Sequence, residues 1–242
     1  MELAVFNGSP RGEKSNTRFI LDSFLQGFMS TEGNRYEQAY LLKLGKRQNQ
    51  LELFKNARHI LLAFPLYGDA MPFVVKSFIE SLEPHCSEKR NQDIGFIVQS
   101  GFPETVHSRY LERYLVKLAL RLHCSYKGTV IKGGAESITM LRLLDNIFLK
   151  WFCNIGAITD FAGVGHHVNM GKLKRSFFEL GKEFGVSGEF NKDIVSGITE
   201  PDRLGRFSFW VYKFMIENLY WNLALIRNNS FAERFAKPLR KS

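Results

Sequence analysis

Cysteine is scarce in this 242-residue chain: Cys86, Cys124 and Cys153 lie far apart and are odd in number. Their spacing excludes a metal knuckle and a disulfide framework, and suits reduced thiols in a reducing compartment. Acidic residues are also in deficit, 24 against 33 basic ones, for a net charge of +9. The opening Met-Glu-Leu-Ala-Val-Phe-Asn-Gly lacks the basic region and the longer apolar region of a secretory signal, so a cytoplasmic location is expected. Internal repeats and low-complexity linkers are missing as well.

What is present is the composition of a folded protein, 45% hydrophobic and 14% aromatic. The length suffices for one large core or two small ones. Short apolar runs alternate with segments of helical period. Strands are expected at Leu3 to Phe6, Tyr36 to Leu41, His59 to Phe64, Ile94 to Gln99 and Tyr126 to Ile131. Between them, helices are expected at Asn16 to Met29, Leu51 to Asn56, Pro72 to Leu82 and Val106 to Leu122. Such alternation over roughly 130 residues requires right-handed crossovers and a parallel sheet covered on both faces. The fold class is therefore open, doubly wound α/β. Further helices are expected at Met140 to Phe152 and Leu173 to Phe184, with chain breaks at Gly133-Gly134 and from Gly185 to Gly188.

Residues 191–242 form a helical extension on a domain of residues 1–190. Residues 203–242 carry eight basic side chains against Glu217 and Glu233, a surplus of six out of the nine. Within them, Phe207 to Ile226 is apolar around most of a helix and needs burial. Packing on the domain or on a second subunit is the favoured reading. An interfacial membrane helix aided by the basic tail is the second. Two charges in twenty residues argue against a membrane span, and no recognition motif accompanies the basic tail to suggest nucleic acid.

The most informative stretch is Phe6-Asn7-Gly8-Ser9-Pro10-Arg11-Gly12-Glu13-Lys14-Ser15-Asn16-Thr17, between the first strand and the first helix. A helix N-terminus at the carboxyl edge of such a sheet receives anions. Here Ser9, Ser15, Asn16 and Thr17 supply donors, Arg11 a charge, and Gly8 and Gly12 close backbone approach. A turn in which Ser15 merely caps the helix explains one serine, but not the other donors and the arginine.

Gly8-Ser9-Pro10-Arg11 followed by Ser15-Asn16-Thr17 resembles the FMN-phosphate loop of the flavodoxin-like NAD(P)H-dependent oxidoreductases, which include FMN reductases and iron-sulfur flavoproteins. Phe64-Pro65-Leu66-Tyr67-Gly68-Asp69-Ala70-Met71-Pro72 is similar to that family's loop along the flavin ring. Ser100-Gly101-Phe102-Pro103-Glu104 is similar to its second ring loop. Gly133-Gly134-Ala135-Glu136 and Phe178-Glu179-Leu180-Gly181 extend the resemblance to about residues 1–200. It implies a five-stranded flavodoxin-like domain that binds FMN through Ser9, Arg11, Ser15, Asn16, Thr17, residues 65–71, Ser100, Gly101, Phe102 and Glu104. It also implies NAD(P)H as a transient reductant, a small acceptor such as a quinone or flavin, and a homodimer.

The residues support that placement on their own terms. Tyr67 can stack on a flat ring, Pro65 and Pro103 hold the loops, and Gly68 and Gly101 let amides approach its polar edge. Tyr67 as an ordinary strand-end aromatic and Glu104 as a helix-start carboxylate are the bland alternatives. The cysteine cluster of the iron-sulfur members is missing. Gly163-Val164-Gly165-His166-His167 lacks the third glycine of a dinucleotide fingerprint, and Gly171-Lys172-Leu173 lacks the spacing of a P-loop. His166 and His167 have no further ligands nearby for a metal, and Asp69 and Glu136 carry no assigned acid or base role. An electron-shuttle flavodoxin is the alternative function, although such proteins are typically acidic; a non-redox scaffold with a partner- or membrane-binding tail is another.

Overall fold

The computed structural model describes residues 1–68, 70–85, 91–102, 104–135, 138, 170–199, 205–214, 217–218 and 221–233. Its strands are β1 (Glu2–Asn7), β2 (Arg35–Tyr40), β3 (His59–Pro65), β4 (Gln92–Gln99) and β5 (Cys124–Lys132). They pair in parallel in the order β2-β1-β3-β4-β5. The crossovers contain α1 (Asn16–Met29), α2 (Arg47–Asn56), α3 (Phe73–Ser81) and α4 (Arg109–Arg121). After β5 come α5 (Met170–Ser187), α6 (Lys192–Thr199), α7 (Arg206–Phe214) and α8 (Trp221–Arg227).

Strand alternation divides the core into two layers. Ala4, Phe6, Ile60, Leu62, Phe64 and Phe96 face Phe54 of α2, Phe78 of α3 and Leu115 of α4. Leu3, Val5, Leu61, Ala63, Ile97 and Val130 face Phe24 and Phe28 of α1 and Phe177 and Phe184 of α5. Burial on both faces is why the central strands read as continuous apolar runs. Rings lock each layer: Phe6 stacks on Phe78 at 5.1 Å, and Phe24 meets Phe184 at 5.7 Å.

The sequence places a break at Gly185, but α5 runs through it to Ser187 and ends at Gly188, whose φ is +71°. The glycines serve close helix packing instead. A Cβ on Gly27 of α1 would lie 1.8 Å from the Phe178 carbonyl oxygen, and one on Gly181 would lie 1.9 Å from that of Phe24. Asn34 bridges the same pair, its amide donating to the carbonyls of Phe28 (3.0 Å) and Gly185 (2.9 Å). The expected helix at 140–152 lies outside the described residues, as do Cys86, Cys153, Glu136, His166 and His167. Among the described residues no helix is long and apolar enough to cross a membrane, and no three His, Cys, Asp or Glu side chains group to hold a metal.

Candidate functional site

From β1 the chain crosses to β2 on one side, and from β3 it crosses to β4 and β5 on the other. The carboxyl ends of β1 and β3 therefore flank the point at which the winding reverses, where open α/β sheets form their ligand crevice. The loops after β1, β3, β4 and β5 meet there.

The first loop is held by its own polar groups. The Ser9 amide donates to Asn7 Oδ1 at 3.0 Å, and the Arg11 amide to Ser9 Oγ at 3.3 Å. Gly12, at φ +56°, opens a single 3-10 turn to Lys14. Ser15 then caps α1: its hydroxyl donates to the Gly12 carbonyl at 2.6 Å and accepts from the Arg18 amide at 3.0 Å. The capping role of Ser15 is thus observed, while the first-turn N–H groups of α1 lie at a helix end, where no intrahelical acceptor reaches them. Gly8 has a packing reason of its own, because a Cβ there would lie 2.3 Å from Val75 Cγ2 of α3. Arg18 is turned aside by close contacts with Asp22 and the Tyr40 hydroxyl, and the Tyr40 bond raises its pKa. Arg11 is exposed and makes no ion pair among the described residues.

Cross-strand bonds tie this loop to the others. Gln99, the last residue of β4, donates through Nε2 to Thr17 Oγ1 at 2.9 Å. Asn16 Nδ2 donates to the Ala135 carbonyl at 2.7 Å. The Ser100 amide donates to the Lys132 carbonyl at 3.0 Å, the Ala135 amide to the Ser100 carbonyl at 2.8 Å, and the Gly134 amide to the Phe102 carbonyl at 2.7 Å. The Leu66 amide reaches the Gln99 carbonyl at 2.7 Å. Ser9, Arg11, Ser15, Asn16, Thr17, Pro65, Leu66, Ser100, Gly101 and Phe102 are accordingly gathered at one edge of the sheet.

The loop after β3 folds back on itself, Tyr67 and Ala70 exchanging backbone bonds of 3.0 and 3.2 Å around Gly68 at φ +55°. Leu66 is buried and Met71 packs on the core, whereas Tyr67 is 52% exposed. Asp69 lies outside the described residues. In the next loop Phe102 is 54% exposed, with its ring 5.6 Å from that of His107. Glu104 precedes the 3-10 turn Thr105–Ser108 and pairs with His107 at 3.2 Å. Beside it opens a cleft of about 580 Å³ lined by Leu66, Glu104, His107, Ser108, Tyr110 and Leu111.

Three strand-end residues have no role in the motif reading: Asn7, which lies within the first stretch, and Gln99 and Lys132, which lie outside the motifs. Each is the last residue of its strand and nearly or fully buried. Gln99 lies between Pro65 and Lys132 in register. Burial drives the Lys132 ammonium down to a pKa of about 8, and Nζ donates to the Gly133 carbonyl at 2.9 Å. The signal in the sequence is a polar residue closing an apolar run directly before Gly or Ser, as in Val5-Phe6-Asn7-Gly8, Ile97-Val98-Gln99-Ser100 and Val130-Ile131-Lys132-Gly133.

The donor set fits a phosphorylated planar ligand. Asn7 Nδ2 and Gln99 Oε1 are buried without a partner beneath the first loop, so that edge is polar to its floor. The other end offers half-exposed aromatic faces.

Among solved structures the chain is similar to an NADH:FMN oxidoreductase, EMOB, in its apo form, at 12% identity over 83% of this chain and 96% of that one, with a TM-score of 0.55. It is also similar to the azoreductase AzrA, at 11% identity over 76% of this chain and all of that one (100%), with a TM-score of 0.52. No family model and no curated protein matches the sequence. At these identities the likeness is one of architecture, and the chain has the flavodoxin-like α/β fold.

Proposed function

We propose that the protein is an FMN-dependent oxidoreductase that takes reducing equivalents from NADH or NADPH and delivers them to a small acceptor, a quinone, another flavin or an azo compound. The observation that carries this reading is the cross-bonding of four strand-end loops, with an anion-suited loop at one end of the crevice and aromatic faces at the other. The described neighbours point the same way, being an NADH:FMN oxidoreductase and an azoreductase.

FMN, when bound, supplies the hydride acceptor and the two-electron store. Residues of the chain bind and orient it. Arg11 and the first-turn amides of α1 hold the phosphate, with Ser9, Ser15, Asn16 and Thr17 shaping the loop around it. Tyr67 and Phe102 would cover the ring, and Gly68 and Gly101 would let the backbone approach its polar edge. The cleft beside Glu104 and His107 receives the acceptor, with both side chains at its wall. Phe73 and Tyr110, 69% and 78% exposed beside these loops, suit a homodimer formed across the ring side of the site.

The test is spectroscopic. Purified protein is expected to be yellow, to bleach when NADH or NADPH is added without oxygen, and to recolour in air. A yellow protein indifferent to nicotinamides is an electron shuttle, and a colourless one that FMN does not reconstitute is a scaffold; either result overturns the reductase reading.

A further inference from the structure

The C-terminal extension carries an apolar face that the sheet and its helices leave uncovered. Phe207, Trp210 and Phe214 of α7 lie at i, i+3 and i+7, on one side of the helix, and are 59%, 62% and 55% exposed. The Trp210 and Phe214 rings stack 5.9 Å apart. Trp221 and Ile226 of α8 are exposed as well. Arg206 and Lys213 flank the aromatic side, Lys213 pairing with Glu217 at 3.7 Å.

Charge decides what can cover this face. Residues 203–242 hold eight basic and two acidic side chains, whereas residues 1–202 are nearly balanced. A second copy docking extension to extension would set one basic segment against another. An anionic lipid surface complements both properties at once. Trp and Phe rings settle at the depth of the headgroups, and long basic side chains reach past them to the lipid phosphates. Among the described residues no helix is long and apolar enough to cross a membrane, and an amphipathic helix with basic flanks suits the interface plane.

We propose that α7 and α8 dock the protein peripherally on an anionic bilayer surface through Phe207, Trp210, Phe214 and Trp221, with Arg206 and Lys213 beside them. This contact is independent of the flavin reading, because none of these residues belongs to the loops of the crevice.

The full chain as purified is floated with phosphatidylcholine vesicles and with vesicles in which phosphatidylglycerol is mixed. The expected result is flotation with the mixed vesicles only, release by salt, and a blue shift of tryptophan emission on binding. Trp210→Glu with Phe214→Glu is expected to lower vesicle partitioning by at least about tenfold. Arg206→Gln with Lys213→Gln is expected to lower it by about fivefold per charge removed. Thermal unfolding of both variants should match that of the parent, which separates lost docking from lost folding. Absence of flotation with the mixed vesicles overturns the proposal, as does equal flotation of parent and variants. A dimer that the Trp210→Glu, Phe214→Glu protein splits, with no lipid binding by the parent, gives the face to a second copy instead.

Discussion

The two ends of the crevice are built in opposite ways. At the phosphate end, Ser9, Ser15 and Thr17 are almost fully buried, and their hydroxyls bond to the loop's own backbone or to Gln99. The helix behind them is clamped to α5 at backbone contact distance. At the ring end, Tyr67 and Phe102 stand half exposed, on loops closed by a few backbone bonds. A fixed anion is best served by dipoles already oriented before it arrives. A ring that must admit a nicotinamide and then an acceptor needs open faces. On the proposed function, the rigid end suits a ligand that stays and the open end suits ligands that exchange.

The comparison breaks most severely at the clamp. Gly181→Val puts side-chain atoms against the Phe24 carbonyl and should cost about 3 kcal/mol or more of stability, read by urea unfolding, with FMN affinity falling as α1 shifts. An unchanged midpoint would show that the helices are not held there.

Lys132, at the carboxyl end of β5, gives a pH signature. Its folded pKa of about 8 lies below its ordinary value of 10.5, so below pH 8 both states carry the charge and the burial cost is felt in full. Between pH 8 and 10.5 the folded state releases its proton while the unfolded chain keeps it, and stability rises with pH. The rise is about 3 kcal/mol, at 1.36 kcal/mol for each pKa unit. Lys132→Met should abolish this rise, as measured by denaturant unfolding across that range.

Arg11→Ala is expected to weaken FMN by about 2 kcal/mol and leave stability unchanged, because the side chain is exposed. Ser15→Ala should do the reverse in part, removing about 1 kcal/mol of stability through the lost cap of α1. Fluorescence titration and urea unfolding of the two variants separate binding from scaffolding. The smallest effect belongs to the open end: Tyr67→Ala and Phe102→Ala should each cost about 1 kcal/mol in FMN affinity, with unfolding midpoints within about 0.5 kcal/mol of the parent.

Much of the rigid end was legible in the sequence. Apolar alternation located all five strands within a few residues, and α1 spans Asn16–Met29 as its periodicity indicates. The clustering of Ser, Asn, Thr and Arg after β1 is a local signal, and local signals survive without coordinates. The partners of those residues are not local: Thr17 meets Gln99, and Asn16 meets Ala135 across more than a hundred positions. The glycines of α5 mislead for the same reason. Gly185 resembles a chain break until the Asn34 side chain is seen against it. The 3-10 turn before α4 also blurs a boundary, since Thr105–Ser108 has the composition of a helix start and the α-helix begins only at Arg109.

The central claim is that the loop from Ser9 to Thr17 grips a phosphate. Fluorescence titration of the apoprotein with FMN and with riboflavin, which differ only in that group, tests it most directly. The account predicts FMN bound about a hundredfold more tightly, the equivalent of two or three charge-assisted bonds. Equal affinities for the two, or binding of neither, would contradict it.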